Sequence, residues 1–237
     1  MGAPHARLQG MTDLAADRIR DAATIVVIRD PAGPLPRVLM GQRGLSAVFM
    51  PSKYVFPGGA VDPGDHDIAL ARPLPNVCAE RLVLPGEASP HALAAAAIRE
   101  LWEETGQILG QPGDWADPPP DWTGFAARGF LPDAARLTYV FRAITPPGRP
   151  RRFDARFFVT DAANLQTDPD DFDAASEELG HLHWVPIAEA RKLDLPFITT
   201  VALAEIATRL PDLSPPDRIP FFRNDDEDIA IANAALR

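Results

Sequence analysis

The chain has a single cysteine, Cys78, among 237 residues. That excludes an intramolecular disulfide and any zinc site built on cysteines. No apolar run approaches the roughly 18 residues that a membrane span requires. The segment from Met1 to Arg20 lacks the apolar core of a signal peptide, so the expectation is a soluble cytoplasmic protein. Positive charge is also scarce. With 23 Lys and Arg against 33 Asp and Glu, the net charge is −10, which argues against non-specific nucleic-acid binding and against an anionic membrane as partner. No internal repeat is present. Proline, in contrast, is abundant: the 26 prolines are about twice ordinary usage. They cluster in loops, which favours one domain with long insertions over two small domains.

The apolar pattern predicts strands over Ala22 to Ile28, a β-branched run, and over Arg37 to Gln42, separated by the turn Asp30-Pro31-Ala32-Gly33-Pro34. A short strand, Tyr54 to Phe56, leads into Pro57-Gly58-Gly59. Residues 62–90 read as a loop-like insertion with an apolar island around Val77 to Leu84. Ser89-Pro90 then provides an N-cap and a first-turn proline for a helix over Ala92 to Ile108. Residues 111–133, rich in Pro and Trp, predict irregular structure with a short helix. Strands follow over Leu137 to Ile144, Arg152 to Thr160 and His183 to Val185, then helices over Ile187 to Lys192 and Pro196 to Leu210. The fold class is α/β (α+β), a mixed sheet sandwiched between helices. The core is expected over residues 20–210, with a weakly ordered tail over 211–237.

The densest chemical signal is Arg99 to Gly106, which reads Arg-Glu-Leu-Trp-Glu-Glu-Thr-Gly. On a helix, Glu100, Glu103 and Glu104 are spaced i, i+3 and i, i+4 and stack on adjacent turns. Three anions that close repel one another unless a cation joins them. All-oxygen ligands favour a hard ion, Mg²⁺ or Mn²⁺, over zinc. A solvated acidic helix face is the ordinary explanation of a Glu-Glu pair. Here five fixed residue types coincide, an event with a chance probability of about 10⁻⁴ in a chain this long.

With Gly59, this segment resembles the Nudix box: Gly, five residues, Glu, seven residues, then Arg-Glu-aliphatic-x-Glu-Glu-x-Gly-aliphatic. The chain departs from it in three places. Asp65 stands at the glutamate position, Gln107 at the last aliphatic one, and Gly59 and Arg99 lie 40 positions apart where the pattern needs about 14, the excess being the insertion. The resemblance implies a Nudix-like mixed sheet between helices and a divalent metal, Mg²⁺ or Mn²⁺, held by Glu103, Glu104 and the carbonyl of Gly58. Glu100 would serve as a further ligand or as helper of the attacking water. Arg99 would hold the glutamates rather than touch substrate, and Gly59 and Gly106 would serve the backbone. A downstream loop carboxylate is expected at Glu178, with Glu177 as runner-up. His181 and His183 alternate like zinc ligands but have no third partner near them, so a structural or exposed role is expected.

Five arginines (142, 149, 151, 152, 156) against the one Asp154 make Arg142 to Arg156 a basic island in an acidic chain. Arg152 and Arg156 are the expected contacts to a substrate phosphate remote from the cleaved bond. An ordinary charge ladder around Asp154 is the alternative. Val55 to Asp62, Phe49-Met50-Pro51, the insertion and Arg151 to Phe158 together resemble the peroxisomal coenzyme A diphosphohydrolase branch of Nudix proteins and its bacterial relatives. That implies cleavage of CoA or acyl-CoA to 3′,5′-ADP and an (acyl-)phosphopantetheine. The chain ends Ala-Ala-Leu-Arg, without a peroxisomal address. A pyrophosphatase for ADP-ribose, a nucleotide sugar or a dinucleotide uses the same metal site and is the first alternative. A non-catalytic Nudix-fold ligand sensor is the second. A homodimer is left open. The insertion is expected to leave the catalytic helix in place and to flank the pocket.

Overall fold

The computed structural model describes residues 19–45, 47, 50–84, 87–225 and 228–234, with side chains as far as Arg223. Phe49 lies outside the described residues. In chain order the strands are β1 (Ile19–Arg29), β2 (Arg37–Arg43), β3 (Tyr54–Val55), β4 (Gly58–Ala60), β5 (Gly110–Pro112), β6 (Phe130–Pro132), β7 (Thr138–Ile144), β8 (Arg152–Asp161), β9 (Leu179–Pro186), β10 (Ile219–Asp225) and β11 (Asp228–Ala234). The α-helices are α1 (Asn76–Leu82), α2 (Pro90–Thr105), α3 (Thr123–Ala127), α4 (Ile187–Ala190) and α5 (Phe197–Arg209).

Nine strands form one mixed sheet in the order β11-β10-β7-β8-β1-β2-β3, with β4 paired to β1 and β9 to β2. At its centre β1 and β8 run parallel, from Ile19 opposite Arg152 to Ile28 opposite Asp161. Ile25, Val26, Val27 and Ile28 are all fully buried, as expected for a strand covered on both faces and therefore without polar alternation. Ala23, Ile25 and Val27 join the core under α2, while Val26 and Ile28 join Leu203 and Ile206 of α5 on the other face. This is the sheet between helices that the sequence predicts.

Helix α2 starts where capping chemistry places it. Ser89 Oγ accepts from the Ala92 amide at 3.1 Å, and Pro90 fills the first turn. It stops at Gly106, which is left-handed (φ 71°) and donates its amide to Trp102 O. Ala92 to Leu101 are buried without a break, so α2 has no solvated side. The reason is the insertion. Its apolar island folds as α1, and Ile68, Leu74, Cys78 and Leu82 pack into the α2 core. The small alanine side chains let sheet and insertion close on the helix from two directions.

Two further segments are more ordered than their sequence reading, although the short helix expected within 111–133 is present as α3. Residues 111–133 hold a hairpin, β5 with β6, around α3, held by edge-on contacts among Trp102, Trp122 and Phe125. Beyond Pro211, where weak order was expected, β10 pairs in parallel with β7, and β11 pairs with β10. Pro220 stands at the second position of β10, and the buried Phe222 joins the core on the α5 side of the sheet. No helix among the described residues is long and apolar enough to cross a membrane.

Candidate active site

The sheet changes partner at the site. Over Ala22 to Thr24, β1 pairs with β4 instead of β2, so a strand containing two glycines faces the last turns of α2. The missing side chains make the room. A Cβ on Gly59 would fall 2.3 Å from Glu100 Oε1, and one on Gly58 would strike the β1 backbone at Ala23 O, 2.6 Å away. The Gly58 amide donates to Glu104 Oε2 at 2.8 Å across 46 positions of sequence. The insertion therefore leaves the two halves of the box in contact.

Arg99 is almost fully buried and organises the carboxylates. Its Nε and Nη2 donate to the two oxygens of Asp65, each at 3.0 Å. Nη1 donates to Glu100 and to Glu103, also at 3.0 Å, and Nη2 to the Ala60 carbonyl. Asp65, 1% exposed, thus acts through Arg99. Its shorter side chain still spans the bidentate pair. Burial opposes the Arg99 charge, yet the Asp65 hydrogen bond and the surrounding carboxylates raise its affinity for the proton above the ordinary arginine range.

The glutamates carry more negative charge than this arginine balances. Burial pushes the Glu100 carboxyl up to about 7, with Glu103 and Glu178 adding repulsion against the pull of Arg99. Burial likewise raises Glu103, and raises Glu104 well above the usual range despite the Gly58 amide and nearby Arg43. Asp65, Glu100, Glu103 and Glu104 face two guanidiniums, Arg99 and Arg43, which leaves two negative charges. All-oxygen donors with that surplus fit one hard divalent cation, Mg²⁺ or Mn²⁺. Glu100, Glu103 and Glu104 would hold it, with Gly58 and Gly59 alongside.

These groups open on a cavity of about 290 Å³. Glu178 lines it together with Glu100 and Glu104, whereas Glu177 does not. His183 Nδ1 lies 2.6 Å from the His181 carbonyl, and neither histidine joins a metal-type cluster among the described residues. No described residue of the insertion lines the cavity wall, but Asp62 pairs with Arg20 and Asp65 with Arg99, so the start of the insertion lies beside the site. Its apolar residues are taken up by the α2 core.

The basic island splits by strand parity. Phe153, Ala155 and Phe157 line the cavity together with Arg151. Arg156, on the opposite parity, is 1% exposed. It donates to Asp21 at 2.6 Å, to the Asp154 carbonyl at 2.7 Å and to Glu87. Arg142 donates to both Asp154 oxygens and to Glu87. This geometry matches the ladder alternative and takes Arg156 out of reach of the cavity. Arg152 Nε donates to the Thr145 carbonyl, and Arg152 does not line the cavity either. Asp21, Glu87 and Asp154 do bring carboxylate oxygens within 4.8 Å of one another, but the two guanidiniums already stand among them. Sequence reading missed Arg20 and Arg43, which line the cavity with Arg151. Arg43 lies on β2 near Glu104, and its buried Nε has no hydrogen-bond partner. No local pattern marks Arg20 or Arg43, because each reaches the cavity only through strand pairing.

No family model matches the chain. A curated Caenorhabditis elegans relative whose name places it among the Nudix hydrolases is 28% identical over 180 residues, covering 70% of this chain. The match spans about half (51%) of that relative's length. The crystal structure of a Nudix hydrolase from Alicyclobacillus acidocaldarius is 30% identical, covering 81% of this chain and 92% of that one, with a TM-score of 0.60. This chain belongs to the Nudix hydrolase family. The segment that resembles the family's box, Gly59, Asp65 and Arg99 to Gly106, has its two halves separated by residues whose apolar side chains pack into the core. Within it, Gly106 serves as helix cap and close approach together, since a Cβ there would lie 2.9 Å from Ala174 Cβ.

Proposed function

We propose that this protein is a divalent-metal-dependent diphosphatase that hydrolyses the phosphoanhydride of a nucleoside-diphosphate-linked small molecule. The observation that carries the reading is the charge surplus of Glu100, Glu103 and Glu104 against Gly58 and Gly59, beside a cavity whose wall also carries Glu178, the guanidiniums of Arg20, Arg43 and Arg151, and apolar and threonine side chains. The metal, when bound, neutralises phosphoryl oxygens and lowers the cost of using water as nucleophile. The chain's own part is positional. Asp65 fixes Arg99, Arg99 fixes Glu100 and Glu103, and the Gly58 amide fixes Glu104. Glu178, exposed at the cavity wall, is the proposed carboxylate that receives the proton of the attacking water. The new P–O bond forms as the bridging P–O bond breaks, and the second phosphate leaves.

For the substrate, we favour CoA or acyl-CoA, with ADP-ribose, nucleotide sugars and dinucleotides as alternatives. The support for an extra phosphate contact now rests on Arg20, Arg43 and Arg151 rather than on Arg152 and Arg156. The test is turnover of CoA, dephospho-CoA, ADP-ribose and NADH with Mg²⁺ or Mn²⁺, products identified by mass. Hydrolysis confined to the diphosphate link supports the reading. Full activity in excess chelator, or tight binding of these compounds without turnover under any metal, would overturn it.

A further inference from the structure

The cavity that carries the glutamates has a neighbour beyond Phe157. A second cavity of about 300 Å³ shares Met50, Thr145, Ala155, Phe157 and Ile198 with it. Among the described residues the rest of its wall is Ala143, Ile144, Pro146, Phe197 and Phe222, with Arg149 as its one charged residue. Phe197, 59% exposed at the start of α5, stands edge-on to Phe222 at a centroid distance of 5.7 Å. Among the described residues no carboxylate lines this annex.

A ribose or second nucleoside placed there would turn hydroxyls toward an apolar wall and lose hydrogen bonds to water. An aliphatic chain loses none and gains by leaving water. The five shared residues make the two cavities neighbours, so a molecule whose diphosphate meets the glutamates has its remaining arm directed along the protein surface toward the annex. We infer that the annex binds the aliphatic arm of the substrate, and that the substrate class is a nucleoside diphosphate esterified to a predominantly aliphatic chain. Arg149 sits at its edge, suited to a polar end of that chain. The inference rests on the diphosphatase reading and narrows it.

The probes are ADP esterified at its β-phosphate with an octyl chain, and ADP-ribose, which carries a polar arm on the same ADP. The wild type should favour the octyl compound by at least about tenfold in kcat/KM, less than the gain from burying a few methylenes. Phe197→Ser and Ile144→Ser should each shrink that ratio several-fold. Two variants are used so that one folding failure does not decide the matter. Equal kcat/KM for the two compounds, or a ratio indifferent to both substitutions, would overturn the inference while leaving the diphosphatase reading intact. If neither compound is hydrolysed, the diphosphatase reading falls, and binding decides the annex separately. Octyl-ADP at least tenfold tighter than ADP-ribose on Glu104→Gln protein keeps it, and equal affinities remove it. A dimer that Phe197→Ser dissociates, with the substrate ratio unmoved, would show that a second copy of the chain covers this wall instead.

Discussion

Two buried clusters of arginine and carboxylate lie at opposite ends of α2, built from the same residue types. Beside its start, Arg142 and Arg156 bridge Asp21, Glu87 and Asp154, while the Ala88 amide answers the second oxygen of Asp21. Near its end, Arg99 is the one guanidinium that hydrogen-bonds Asp65, Glu100 and Glu103 among the described residues. The Asp62 amide adds a bond to Asp65, and Glu104 accepts from the Gly58 amide with Arg43 nearby. The first cluster draws on β1, β7, β8 and the insertion, and its charges are largely matched. The second has unmatched charge and opens on a cavity. A buried ion network that is satisfied from every side holds the fold together. One left short of cations stores a demand for a metal.

The largest expected effect falls on the closed cluster. Arg156→Leu leaves the buried Asp154 and the half-buried Asp21 and Glu87 around one arginine and should cost about 3–5 kcal/mol, read as a fall in the urea midpoint. Folded Arg156→Leu protein should still bind divalent metal. Lost turnover at unchanged stability would instead put Arg156 on the substrate and erase the distinction between the clusters.

At the open end the sign reverses. Glu104→Gln should lower kcat by about 10²–10³, yet the metal-free variant should melt no lower than wild type, because it replaces a carboxyl that burial already pushes toward its neutral form. A large drop in melting temperature without metal would mean that the open cluster is structural too.

The pH dependence follows from Glu100, whose carboxyl burial raises to about 7 from an ordinary value near 4.5. A raised folded-state value stabilises the protein below the ordinary value, and that contribution fades as pH rises through 7. The metal-free protein should therefore lose roughly 3 kcal/mol over that window, and saturating Mg²⁺ should offset the loss. Metal binding should release protons near pH 6, measurable by calorimetry in buffers of different ionisation heat. Metal affinity independent of pH between 5 and 8 would contradict it.

The smallest effects belong to the cavity arginines. Arg151→Ala and Arg20→Ala should each weaken use of CoA by about 10- to 100-fold in kcat/KM, the scale of one charge-assisted phosphate contact, and should spare dephospho-CoA. Arg152→Ala should not discriminate between the two. If Arg152 alone discriminates, the phosphate lies on the other parity of β8.

Much of the catalytic half was legible because it is local. Helical spacing alone stacks Glu100, Glu103 and Glu104, and Ser89, Pro90 and Gly106 mark where that helix starts and stops. Arg99 as holder of the glutamates is implied by the family resemblance, and its position one turn before Glu103 is compatible with the observed bond. The basic island shows where such reasoning runs out. Period-two alternation correctly places Arg152, Asp154 and Arg156 on one face of β8, but cannot say which face meets the cavity. That is decided by β1 and β7, which bring Asp21 and Arg142 beside Arg156.

The insertion gives the same lesson at larger scale. Its apolar island was visible in sequence, as was its length. Its destination was not, because burial against α2 depends on surfaces far apart in the chain. The sequence by itself determined the family, the carboxylate set, and the helix that presents it, since each is written within one or two turns of backbone. Only tertiary structure decided that Asp65 clamps Arg99, that Arg43 and Arg20 join the cavity, and that Arg156 is locked away. Those contacts span tens of residues, and strand pairing together with the competition for buried charge selects them.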